Sequence, residues 1–186
     1  MADPHHVPTL DGFDVFTVRL YRLGLCISAV GLALLAASLL VSESSQDGLC
    51  WVLVFVGAAL SAANMHLYDK RIRWVIGASG WVGGALLLLA PHVPAAWSPW
   101  VFYAGAGFVF VVLSGFALKE QFCFKIAFLR LVPLVLATSL IPLLAEERTV
   151  AGMMLVMASV MYGLLAVAKL RMPLHFDIGN KGAYQI

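Results

Sequence analysis

His66, Asp69, Glu120, His175 and Asp177 are imidazoles and carboxylates, the donor types that hold first-row divalent metals, and each lies near the edge of an apolar run. His66 and Asp69 are three residues apart, so one helix end would point both at a shared site, with Glu120, His175 and Asp177 arriving from other segments. A metal site built from these five is one expectation. The competing reading pairs them with Lys70, Arg71 and Lys125 at headgroup level, and it is preferred because no spacing among them is a recognised metal motif. Met153, Met157 and Met161 recur every four residues, which aligns three thioethers on one helix face. Soft sulfur suits Cu(I), whereas Met also fills irregular gaps between helices. Packing is the expectation, since Met154 lies on a neighbouring face and no second segment carries a matching ladder.

Other chemistries find little purchase. A bis-histidine haem is disfavoured because His66, His92 and His175 fall at loop or interface level, and His5 and His6 read as a terminal pair rather than as ligands. No serine, histidine and acid set suggests hydrolysis, and no glycine-rich strand-to-helix turn suggests nucleotide binding. Cys26, Cys50 and Cys123 form neither a disulfide framework nor a metal motif. No cofactor is expected, with a divalent metal or copper as the open alternative.

The elements that must position these residues are set by composition. The chain has 186 residues, of which 62% are hydrophobic and 12% charged, and its mean hydropathy is +0.93. Soluble domains are about half apolar and a quarter charged, so this surface needs lipid. The net charge of +2, dispersed over short loops, sets a nucleic-acid partner aside. Apolar runs long enough for the ~20 residues of a bilayer span occupy about 20–41, 49–67, 74–90, 100–118, 124–145 and 150–170. Residues 1–18 form a polar lead in which Leu10, Phe13, Phe16 and Leu20 allow a short interfacial helix, and residues 173–186 form a tail. The lead lacks the basic region and cleavage site of a secretory signal, so the first span is expected to be retained.

Small residues at Ala58, Ala59, Ala62 and Ala63, and at Gly80 and Gly84, mark faces where helix backbones approach closely in lipid. Pro133 and Pro142 predict kinks in the fifth span. With six spans, every Lys and Arg except Arg148 falls on one side, and Glu43, Asp47, Glu146 and Glu147 fall on the other. That asymmetry predicts an all-α bundle of six transmembrane helices in a bacterial inner membrane, with both termini cytoplasmic. Span centres carry no charge, and Arg130 lies shallow enough to reach the headgroups, so a carboxylate relay for ion pumping is disfavoured.

At His66, Leu67, Tyr68, Asp69 and Lys70, at Leu118, Lys119 and Glu120, and along Leu174, His175, Phe176, Asp177, Ile178, Gly179, Asn180 and Lys181, the chain resembles a bacterial family of integral membrane proteins. That family is known as domain of unknown function 2301, and the likeness covers nearly the whole chain. The resemblance implies a multispan inner-membrane protein and transfers no activity. The preferred functional expectation is a non-enzymatic accessory, assembly or scaffold subunit that binds other membrane proteins, as a homo-oligomer or within a larger complex. The alternative is a small transporter or metal-handling protein using the His66, Asp69, Glu120, His175 and Asp177 set. An enzyme acting on lipid through Asp69 or Glu120 has no motif behind it.

Overall fold

The computed structural model describes residues 9–41 and 47–184, so His5, His6 and Glu43 lie outside the described residues. Every regular element among them is helical. α1 spans Gly12–Val41, α2 Asp47–Ala63, α3 Lys70–Leu89, α4 Ser98–Phe124, α5 Val132–Leu144, α6 Arg148–Arg171 and α7 His175–Ile178, with short 3-10 turns at Ala90–His92, Ala127–Leu131 and Lys181–Ala183. Five segments are long and apolar enough to cross a membrane, namely Gly12–Val41, Lys70–His92, Ser98–Phe124, Ala127–Leu144 and Arg148–Arg171. α2 is apolar but only 17 residues long. Six spans of comparable length were expected, and α2 is shorter because the helix stops at Ala63 and residues 64–69 form the connection.

α1 starts earlier than expected. Asp11 and Asp14 cap it reciprocally, Asp14 N–H donating to Asp11 Oδ1 at 2.8 Å and Asp11 N–H to Asp14 Oδ2 at 3.0 Å. Nothing between Gly12 and Val41 breaks a helix, so Phe13 and Phe16 belong to the first turns of one 30-residue helix and not to a separate interfacial one.

α1 is the central post, packed against α2 on one side and α6 on the other, while α4 joins α3 to α5. The α1–α2 crossing is close enough for backbone contact. A Cβ on Gly57 would lie 2.5 Å from Ser28 N, and one on Gly24 would lie 2.7 Å from Gly57 O, while Ser61 Oγ donates to Tyr21 O at 3.1 Å. The small residues that matter at this crossing are therefore Gly24, Ser28, Gly57, Ala58 and Ser61. Ala59, Ala62 and Ala63 turn away from it.

α4 continues straight through the expected turn at Lys119, Glu120 and Gln121, ending only where Lys125 adopts a left-handed φ of 56°. The 3-10 turn that follows carries an exposed Arg130. Pro133 then sits in the first turn of α5, where its missing N–H costs nothing, so it starts a helix where a kink was expected. Pro142 lies inside α5. Thr138 Oγ1 donates to Leu134 O at 2.7 Å and Ser139 Oγ to Leu136 O at 2.8 Å, so neither hydroxyl serves the carbonyl that Pro142 frees.

The middle of the bundle is packed apolar side chains, including Leu32, Leu35, Val109, Leu113, Phe116 and Leu155, all at most 1% exposed. Tyr162 is fully buried among them, and its hydroxyl donates to Leu113 O.

Candidate functional site

Three helices bring ionisable groups into the interior at the end of the bundle where α1 begins and α6 finishes. The reason lies in helical register. The buried face of α6 runs Ala151, Leu155, Ala158, Tyr162, Leu165, and the next position at that spacing is Lys169. The buried face of α4 runs Ala106, Val109, Leu113, Phe116 and continues to Glu120, and that of α1 places Tyr21 and Arg22 inside. Lys169 and Glu120 are 0% exposed and Arg22 is 5%. Lys119 and Glu120 were expected in a loop, and only the span centres were expected to be free of charge. Instead, the extension of α4 carries Glu120 into the core.

Asp177 completes the cluster from outside the long helices. Its Oδ2 accepts from Arg22 Nε at 2.8 Å and Nη2 at 2.6 Å, and its Oδ1 pairs with Lys169 Nζ. Arg22 also donates to Met172 O at 2.7 Å and Pro173 O at 2.9 Å, so a single guanidinium holds the chain where α6 ends and α7 begins. Glu120 accepts from Tyr21 Oη at 2.7 Å and forms ion pairs with Lys169 at 2.9 Å and Lys119 at 3.2 Å. Lys119 Nζ stands 4.4 Å from the Tyr21 ring centre, and Lys169 Nζ 4.3 Å from that of Phe124. Three cations thus face two carboxylates, with aromatic faces supplying the rest of the negative potential.

Beyond Asp177 the tail lies over this cluster. Gly179 has φ 62° and ψ −143°, a region L-residues avoid, and Asn180 N–H donates to Tyr68 Oη at 2.7 Å. Tyr184 packs against Tyr68 with ring centres 5.0 Å apart, and its hydroxyl donates to Ile178 O at 2.5 Å. Burial raises the Tyr184 phenol, and the nearby Tyr68 adds to the effect. Lys181 reaches back to Asp14 at 2.5 Å, a hydrogen bond that raises the ammonium. The tail therefore touches α1, the 64–69 connection and α4, where Phe176 stacks on Phe124.

Of the five residues considered as metal ligands, the structure brings Glu120 and Asp177 together, but across Lys169. Asp69 caps α3, its Oδ1 accepting from Arg71 N–H at 2.7 Å and Ile72 N–H at 3.2 Å. His66 faces the Tyr184 ring at 6.4 Å, and burial, then the Lys119 charge, lowers it toward the neutral form. His175 meets Phe176 edge-on. Among the described residues no three or more His, Cys, Asp or Glu are grouped to hold a metal. Met153 and Met157 are each 53% exposed on the outer face of α6, and Met161 is half-buried against the core. The expected packing role therefore applies to Met161, while the other two thioethers face away from the bundle interior.

At the opposite end Arg148 pairs with Asp47 at 2.7 Å and donates to Ser38 O at 3.2 Å, tying α6 to α2 and α1. Arg22 and Lys169 carry the ionic cluster and escaped sequence reasoning, which counted them only among the cations of one membrane face. Continuing the buried stripe of each helix by one more turn is the signal that finds them.

Residues 60–186 match the family described as uncharacterized integral membrane protein, DUF2301. A protein of Haemophilus influenzae titled "Uncharacterized protein" is 33% identical over 186 residues, covering 100% of both chains. No solved structure matches. The family match takes in Lys119, Glu120, Lys169 and Asp177, and the whole-length relative extends the likeness to α1. The chain belongs to the DUF2301 family of integral membrane proteins, and it is a multi-pass, all-helical member.

Proposed function

We propose that this protein is a non-enzymatic accessory or assembly subunit of a bacterial inner membrane, crossing it six times with both termini in the cytoplasm. The observation that carries the binding role is Trp81. It is 84% exposed on α3, twelfth of that helix's 20 residues, which puts it roughly 16 Å along the axis. Membrane tryptophans concentrate at the headgroup level, and this one sits near mid-depth of a core ~30 Å thick. Tryptophan is also the residue most enriched at binding hot spots. α3 is the least buried of the five long segments, with 28% of its most apolar window inside the bundle, so most of its circumference is offered to a partner helix.

Six crossings are supported by parity. Asp14 at the start of α1 pairs with Lys181 in the tail, which puts both at one end of the bundle and supports an even number of crossings. α2, about 25 Å long by its residue count, then supplies the sixth. The basic residues gather at that shared end, which supports its assignment to the cytoplasm. The metal-handling reading is weaker, because Glu120 and Asp177 would have to leave Lys169 and Arg22 to serve an ion.

A photo-activatable residue placed at position 81 should cross-link in native membranes to a protein of defined mass, and the same label at the buried Leu155 should not. Labelling at position 81 that yields lipid adducts alone would remove the accessory reading.

A further inference from the structure

We propose that the polar cavity where α2, α4, α5 and α6 meet, at the end of the bundle opposite the ionic cluster, binds an aminoalcohol group, with Glu146 as the counter-ion of its ammonium. The proposal is independent of the partner reading above and uses neither α3 nor Trp81.

The cavity has a volume of about 300 Å³ and is lined in part by Asp47, Trp51, Tyr103, Pro142, Glu146 and Arg148. Small-molecule sites are of this kind, a concave space with a few convergent polar groups. Asp47 and Arg148 are committed to each other. Asp47 Oδ2 accepts from Arg148 Nη1 at 2.7 Å, and its Oδ1 accepts from Ser38 Oγ and from Arg148 Nη2. That pair forms a wall of the cavity.

Glu146, Tyr103 and Trp51 differ. Among the described residues, no hydrogen bond or ion pair engages these three side chains: Trp51 meets the rings of Phe102 and Phe110, and Tyr103 that of Phe102. Trp51 is only 6% exposed. A buried indole N–H normally finds an acceptor, and here one has to come from outside the chain.

The backbone singles out Glu146. α5 ends in a Schellman turn, with Glu147 N–H donating to Pro142 O at 2.8 Å and Glu146 N–H to Leu143 O at 3.3 Å. The turn puts position 146 in the left-handed region at φ 59°, where glycine is the usual occupant and a Cβ is strained. A glutamate there places a carboxylate on the cavity wall at a cost to the fold.

These free groups define the ligand. The Glu146 carboxylate and the Tyr103 oxygen accept from an ammonium, while the Trp51 N–H donates to an oxygen. Two carboxylates against one guanidinium in the lining argue against an anion. A metal ion would find Glu146 alone, because Asp47 is engaged. An ammonium and an oxygen acceptor on one small molecule serve all three groups, and ethanolamine is the simplest such molecule. It could reach the cavity free or as a phospholipid headgroup.

The test is calorimetric titration of the full-length protein in nonionic detergent. The probes are ethanolamine, its neutral match ethylene glycol, and dihexanoyl phosphatidylethanolamine against dihexanoyl phosphatidylglycerol. The wild type should bind ethanolamine or phosphatidylethanolamine saturably, and neither of the others. Free ethanolamine binding as tightly as the lipid identifies a soluble amine, and binding of the lipid alone identifies a headgroup; both uphold the ammonium site. Glu146→Gln should weaken binding by about tenfold or more. Glu147→Gln makes the same change in charge one residue on, outside the lining, and should leave affinity unchanged. Glu146→Gly should abolish binding while raising the melting temperature by ~2–4 °C, which separates loss of the site from loss of the fold. No binding of either amine, equal binding of ethylene glycol or phosphatidylglycerol, wild-type affinity in Glu146→Gln, or an equal loss in Glu147→Gln would each overturn the proposal.

Discussion

Glu120 is the residue on which the cluster turns, because Tyr21, Lys119 and Lys169 all depend on it and it has no contact with water. A charge left alone in a low-dielectric interior costs far more than a mutual pair contributes. Glu120→Gln leaves Lys119 without a carboxylate and Lys169 with Asp177 alone, and we expect it to destabilise the protein by about 3–5 kcal/mol. Adding Lys169→Met should recover a large part of that loss, since the second change removes a cation the first had stranded. Unfolding titrations of the two single variants and the double would show it, and strictly additive losses would mean the two groups are not coupled. The sequence carried this site in a readable form. Lys169 continues the Leu155, Tyr162, Leu165 stripe and Glu120 the Leu113, Phe116 stripe, yet a charge beside an apolar run reads first as the run's boundary. Helix register, followed past the first charge, separates the two cases. The pairing of Arg22 with Asp177, 155 positions apart, had no such local signal.

At the level of elements, hydropathy placed the long helices well because lipid-spanning segments are apolar over their whole length. It failed where the chain turns. α4 was cut short at Leu118 and α5 begun early at Phe124, although Lys125 and the 3-10 turn occupy that interval. The small-residue faces were recognised without their partners, since Gly24 against Gly57 is a crossing in space that neither segment reveals alone. The tail is an element in its own right, held by a glycine. At φ 62° and ψ −143°, with the Tyr68 hydroxyl where a Cβ would go, Gly179→Ala is strained twice over. We expect it to detach residues 179–184 at a cost of about 1–3 kcal/mol while the long helices stay folded. Amide exchange at Asn180 should then accelerate with helix amides unchanged. Protection equal to the wild type would show that the tail tolerates the change.

For the whole molecule, the two ionic ties lie at opposite ends: Arg22, Lys169, Glu120 and Asp177 at one, Arg148 and Asp47 at the other, with an apolar middle between. The proposed six crossings with cytoplasmic termini make a direct topological prediction. A green fluorescent protein fused after Ile186 should fluoresce, and alkaline phosphatase inserted in the turn near Val93 should be active. The reverse pattern would invert the orientation, and an active phosphatase near Val93 beside a dark C-terminal fusion would break the count of crossings after that turn. The cluster also bears on how the protein is made. Arg22 emerges with the first helix, Glu120 with the fourth and Lys169 with the sixth, but the carboxylate shared by Arg22 and Lys169 arrives only at position 177. Until then the partly inserted bundle carries three interior cations against one anion. Assembly therefore has a built-in last step: a chain released before Asp177 keeps a buried arginine without its carboxylate at that end of the bundle, so truncated products are marked as unfinished by their own charge.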